Sequence, residues 1–153
     1  MSLVGQPAPQ FELLNEKGET VRLADFKGKN VVLYFYPKDM TPGCTTEACD
    51  FRDAYEDFSE LNAVILGVSM DDANRHTKFI EKHGLPFSLL VDSDHAVCEA
   101  YGVWVLKKNF GKEYMGIERS TFLIDEEGIV KQEWRKVRVK NHIEDVLTTL
   151  KGA

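Results

Sequence analysis

The chain has 153 residues, 43% of them hydrophobic and 29% charged, a size and balance that support one self-sufficient core without disulfide staples. A formal charge of −6 argues against nucleic acid or an anionic membrane as the main partner. Met1-Ser2-Leu3-Val4-Gly5-Gln6-Pro7 shows neither a basic n-region nor a long apolar run, so the expectation is a cytoplasmic protein with no membrane contact. In that reducing setting the three cysteines are not expected to build a structural framework.

Phe11-Glu12-Leu13-Leu14 and Thr20-Val21-Arg22-Leu23 flank Asn15-Glu16-Lys17-Gly18 and predict an N-terminal hairpin. Val31-Val32-Leu33-Tyr34-Phe35-Tyr36, β-branched and aromatic throughout, predicts a buried strand ending at Pro37. A helix over 42–60 follows, with Thr41 as N-cap and Pro42 at the first helical position, where a missing N–H costs nothing. Val64-Ile65-Leu66-Gly67-Val68 predicts a second buried strand. Asp71 or Asp72 then opens a helix to Lys82 or His83, closed by Gly84 and Pro86. Residues 88–91 read as a short strand, and Asp94 begins a short helix through Tyr101. Lys107-Lys108-Asn109-Phe110-Gly111-Lys112 reads as a polar loop. Thr121-Phe122-Leu123-Ile124 and Ile129-Val130-Lys131-Gln132-Glu133-Trp134 alternate around Asp125-Glu126-Glu127-Gly128, a second hairpin. Asn141 with Glu144 makes an N-terminal capping signature for a last helix to Leu150. The expectation is one α/β domain over 1–153, with a mixed central sheet flanked by helices.

Chemistry concentrates at Thr41-Pro42-Gly43-Cys44. Cys44 falls in the first turn of its helix, beside unpaired backbone N–H groups and the positive end of the helix dipole. Those conditions favour a thiolate, and hence a nucleophile, near neutral pH.

The run from Val31 through Pro37 to Lys38-Asp39-Met40-Thr41-Pro42-Gly43-Cys44-Thr45-Thr46-Glu47-Ala48-Cys49 closely resembles the bacterioferritin comigratory protein (Q-type) group of peroxiredoxins. The resemblance extends to Tyr101-Gly102-Val103-Trp104, to Arg119-Ser120-Thr121-Phe122 and to Trp134-Arg135-Lys136-Val137. Pro37, Thr41 and Cys44 carry the family's peroxidatic spacing. The resemblance implies a thioredoxin-like fold with an N-terminal hairpin extension and thiol-dependent reduction of hydroperoxides. It further implies Cys44 as the peroxidatic cysteine, Cys49 as the resolving one and Arg119 as the partner arginine. A thioredoxin-type reductant and a monomer are implied as well, with no cofactor or metal.

The residue types suit that reaction. A thiolate attacks one peroxide oxygen while negative charge develops on the other, so fixed donors aimed at both favour the transition state. The amides of Gly43 and Cys44, the Thr41 hydroxyl and the Arg119 guanidinium are the expected donors, with Pro37 walling the pocket. The Cys44 sulfenic acid would condense with Cys49 to a disulfide.

Blander readings stand beside each assignment. Thr41 serves equally as a simple cap, Arg119 as the surface partner of an acid such as Glu47, and Cys49 as a small core residue. Cys98 is expected in the core. His76, His83, His95 and His142 lack the spacing of a zinc site, and Trp104 and Trp134 read as packing residues. Arg135, Lys136, Arg138 and Lys140 read as a solvated strand edge. The alternative functions are a thioredoxin-like dithiol–disulfide oxidoreductase and a redox sensor. The first normally uses C-x-x-C, whereas four residues separate Cys44 from Cys49.

Overall fold

The computed structural model describes residues 2–152. In chain order the elements are β1 (Glu12–Leu14), β2 (Thr20–Arg22), a 3-10 turn (Leu23–Phe26), β3 (Asn30–Phe35), α1 (Pro42–Asp53), α2 (Tyr55–Glu60), β4 (Ala63–Ser69), α3 (Ala73–His83), β5 (Ser88–Val91), α4 (Ala96–Ala100), β6 (Trp104–Asn109), β7 (Lys112–Ile117), β8 (Ser120–Ile124), β9 (Val130–Trp134) and α5 (His142–Lys151). Seven strands form one mixed sheet in the order β2-β1-β5-β4-β3-β8-β9, while β6 and β7 pair separately. β3, β4 and β5 run parallel, and β8 lies antiparallel to β3. The N-terminal hairpin extends the sheet through one paired position, Leu14 with Val91.

The period-2 pattern of β3 divides the interior. Val32, Tyr34 and Tyr36 face a core built with Phe51 of α1, Phe58 of α2, Phe79 of α3 and Val146 of α5. Val31, Leu33 and Phe35 face a second core with Phe11, Cys98, Tyr101 and Val103. Gly67 of β4 is required by this packing, since a Cβ there would lie 2.7 Å from Leu89 Cδ2 and 2.9 Å from Tyr34 Cζ.

Four expectations are corrected. The helix over 42–60 is two helices, broken at Ala54 (φ −98°, ψ 6°); no glycine or proline marks that break. The polar loop 107–112 is part of the β6–β7 hairpin, whose turn at Phe110 and Gly111 takes φ values of 52° and 76°. Both signs fit a two-residue type I′ turn, but a phenylalanine at a positive φ is not a usual turn signal. Asn141 does precede the last helix, yet it sits at φ 62° and makes no side-chain cap, because a capping side chain reaches the first-turn amides from an extended backbone. Arg135 is no solvated edge residue: it donates to the carbonyls of Gly102 and Tyr101 and to Glu133. Asp72, by contrast, caps α3 as expected, accepting from the Arg75 amide at 2.8 Å. Gly84 closes that helix in the left-handed region at φ 61°.

Candidate active site

β3 ends at Phe35 and α1 begins at Pro42, with residues 36–41 making the connection. Thr41 takes the N-cap position with extended backbone (φ −84°, ψ 154°), and its carbonyl accepts the Thr45 amide at 2.9 Å. Its side chain does not cap. The Thr41 hydroxyl donates instead to the Lys38 carbonyl at 2.8 Å, which leaves the amides at the helix mouth free of an N-cap side chain. This corrects two expectations at once: Thr41 is not a side-chain cap, and its proton is already committed. What Thr41 offers a substrate is an oxygen lone pair.

Cys44 is the third residue of α1 and only 1% exposed. Arg119, between β7 and β8, reaches it with Nη2 at 3.3 Å from Cys44 Sγ. Its Nη1 donates to Glu47 Oε1 at 2.6 Å. The Arg119 backbone is held in turn, its carbonyl accepting the Val137 amide at 2.9 Å. Gly43 makes the approach possible, since a Cβ at that position would stand 3.1 Å from Arg119 Nη2.

The electrostatics follow from burial. Glu47 is fully buried, and burial outweighs the Arg119 charge and hydrogen bond to push its carboxyl up to about 7. Its second oxygen, Oε2, has no hydrogen-bond partner among the described residues. Arg119 is pulled down by burial but held above its ordinary value by Glu47 and Cys44. Thus Arg119 does pair with Glu47, but in the interior and with Cys44 as a second partner, not as a surface ion pair.

Cys49 lies half-buried on the same helix, and Cys44, Cys49 and Cys98 are all free thiols. Pro37 follows buried Tyr36 directly on the connection into α1. Sequence reasoning missed Lys107 of β6. Its pKa is lowered by partial burial and by the Arg119 charge, while Cys44 acts in the opposite sense. It also missed the buried contact of His76 Nδ1 with Asp39 Oδ2 at 2.6 Å, because His76 was weighed only as a metal ligand.

A thiol at an open helix N-terminus beside a partly buried arginine, on a thioredoxin-like sheet, is an arrangement of the peroxiredoxin class of thiol peroxidases. Residues 4–133 match the AhpC/TSA family. Peroxiredoxin Bcp of Bacillus subtilis is 68% identical over 148 residues, covering 97% of this chain and 94% of the relative. Peroxiredoxin Q of Xanthomonas campestris, a solved structure, superposes with a TM-score of 0.89 at 46% identity, covering 93% of this chain and 90% of that one. A solved structure of the Xanthomonas campestris bacterioferritin comigratory protein, described for its alkyl peroxide reduction activity, matches equally well, with TM-score 0.89 and 45% identity over the same shares. The chain belongs to the AhpC/TSA family, as a peroxiredoxin with thiol-dependent peroxidase function.

Proposed function

We propose that, within this peroxidase chemistry, Cys44 is the attacking thiol, Arg119 and the α1 N-terminus stabilise its charge, and Cys49 resolves the product. The observation that carries the reading is the Arg119 Nη2 contact with Cys44 Sγ at 3.3 Å. The Cys44 thiolate attacks one oxygen of ROOH, forming S–O and breaking O–O, and the departing RO⁻ takes up a proton to leave as ROH. Arg119 and the amides of Gly43 and Cys44 face the developing negative charge. The Thr41 oxygen, whose hydroxyl donates to the Lys38 carbonyl, accepts a hydrogen bond from the peroxide O–H and aligns the attacked oxygen, which keeps that hydrogen in the sulfenic acid. Pro37, with no N–H to hydrate, walls the site.

Cys49 thiol then condenses with the Cys44 sulfenic acid, giving a Cys44–Cys49 disulfide and water. A thioredoxin-type dithiol returns both cysteines to thiols as it is oxidised to its own disulfide. The family resemblance supports that reductant, as well as a monomeric, cytoplasmic protein. Among the described residues no helix is long and apolar enough to cross a membrane.

The test is stopped-flow oxidation by hydrogen peroxide and by a bulky organic hydroperoxide, with a thioredoxin system closing the cycle. Before the reductant is added, wild type should consume one equivalent and lose two thiols, and with it consumption should continue, whereas Cys44→Ser should consume none in either case. Arg119→Met should slow attack by about 10²–10³-fold, the cost of losing one donor to a developing anion. Undiminished consumption in Cys44→Ser would refute the assignment.

A further inference from the structure

Asp39 sits in the loop between β3 and α1 with no exposed surface, and every polar group it carries is bonded. Its amide donates to Asp71 Oδ2 at 2.7 Å, and its carbonyl accepts from Arg75 Nη2 at 3.0 Å. One carboxylate oxygen accepts the Tyr36 hydroxyl at 2.5 Å, and the other meets His76 Nδ1 at 2.6 Å. His76, fully buried on α3, donates its Nε2 proton to the Leu90 carbonyl at 2.9 Å, because a carbonyl can only accept. The His76–Asp39 contact therefore holds one further proton. Burial pulls the His76 pKa down, but the hydrogen bond and charge of Asp39, the Leu90 carbonyl and the Asp71 charge carry it above its ordinary value.

Asp39, Asp71 and His76 place ligand-type atoms within 4.8 Å of one another, yet this is not a metal site. The atoms are already engaged: Asp71 takes the Ser69 hydroxyl at 2.7 Å and Arg75 Nε at 3.1 Å besides the Asp39 amide.

We propose that the Tyr36–Asp39–His76 cluster is a positioning device for the peroxide-attacking site, locking residues 37–41 so that Pro37, the Thr41 oxygen and the mouth of α1 keep one geometry. The link is covalent. The Asp39 N–H and the Lys38 carbonyl belong to one planar peptide unit. When Asp71 holds the first, it aims the second, and the Lys38 carbonyl is what orients the Thr41 hydroxyl. Arg75 holds the next peptide plane through the Asp39 carbonyl. Between these anchors Met40 stands at φ 65°, a conformation that non-glycine residues keep only where their surroundings over-determine it. The fixed side of this clamp is Asp71 in the β4–α3 connection, α3 and β5, none of which carries a cysteine, so the loop has an anchor independent of α1.

The proposal rests on Cys44 as the attacking thiol, and its test separates the two steps of oxidation in the full chain by stopped flow. Asp39→Ala should slow hydrogen peroxide attack on Cys44 by about 10- to 100-fold, the scale of an ångström's misplacement. It should not slow disulfide closure, which requires α1 to unwind beyond Thr41. Asp39→Asn should recover most of the lost attack rate, since its amide can donate to His76 Nδ1 and its oxygen still accepts from Tyr36. Tyr36→Phe removes one hydrogen bond at nearly constant volume and should show a smaller loss, again in attack alone; it decides the matter if Asp39→Ala does not fold. Unchanged attack in the folded variants overturns the proposal. Equal slowing of both steps with no recovery in Asp39→Asn also overturns it, as the mark of a merely structural role. Failure of Cys44→Ser to abolish peroxide consumption would instead strike the assignment of Cys44.

Discussion

At the scale of single residues, Gly43 separates catalysis from stability. Alanine is the better helix former by up to about 1 kcal/mol, so Gly43→Ala should leave the urea midpoint unchanged or raised. Its Cβ, however, would stand 3.1 Å from Arg119 Nη2, and the guanidinium must retreat from the sulfur. Peroxide attack should slow while stability holds; an unaltered rate would show that the contact with Cys44 tolerates a looser arginine. His142 makes the pH test. Burial lowers its pKa to about 4, Asp145 pulling it up and the Arg119 charge, the least of the three, pulling it down, and it shares a 2.7 Å hydrogen bond with Thr121 Oγ1. A base whose folded pKa is depressed adds stability above its unfolded value, about 6.5, and that stability is lost as pH falls from there toward about 4. Between pH 7 and pH 5 this amounts to about 2 kcal/mol. Urea unfolding of wild type and His142→Gln at both pH values should show the variant losing less by about that amount, and equal losses would mean that His142 is charged in the fold. The approach of Arg119 to Cys44 was legible only through the family resemblance, since pattern alone reads Arg119 as the surface partner of an acid. The Thr41 hydroxyl was not legible, because its partner is a carbonyl three residues back, and nothing in threonine's identity says whether it gives or takes a proton.

At the scale of elements, the proposed Cys44–Cys49 disulfide would require α1 to move. Residues five apart in a regular helix have Cα atoms about 8.6 Å apart, whereas a disulfide needs about 4.4–6.8 Å. Cys44 and Cys49 both lie inside α1 (Pro42–Asp53), so they cannot join while it stays helical. The break at Ala54 gives that unwinding a boundary, because α2 begins its own hydrogen-bonded run at Tyr55 and buries Phe58. Hydrogen exchange of the disulfide form should therefore show lost protection over 43–53 and retained protection over 55–60, with β3 and β4 unchanged. Retained protection across 43–53 in a confirmed Cys44–Cys49 disulfide would rule out the unwinding. The buried strands were legible because an unbroken apolar run between turn signals has few other readings. The β6–β7 hairpin was not, since Lys107, Lys108 and Lys112 hide the alternation, and its turn is made by Phe110 at φ 52°.

At the scale of the whole molecule, the sheet is a partition between two thiol environments. Cys44 belongs to the core beneath α1 and α5, and Cys98 to the core on the other face with Phe35 and Tyr101. Cys98 has no exposed surface. Burial, followed by its hydrogen bond to Asp92 and the Asp92 charge, pushes its thiol well above the ordinary range, which leaves almost no thiolate to react. Nothing short of opening the sheet brings Cys98 to Cys44, whereas unwinding one helix brings Cys49. Alkylation followed by mass spectrometry across a urea series should label reduced Cys44 and Cys49 under native conditions. Cys98 should be labelled only along the global unfolding transition. After peroxide, Cys44–Cys49 should be the disulfide recovered, and Cys98→Ser should keep most of the thioredoxin-linked turnover. A Cys44–Cys98 disulfide formed without denaturant would mean that the partition opens during the cycle. The motion coupled to catalysis would then be that of the sheet, not of α1.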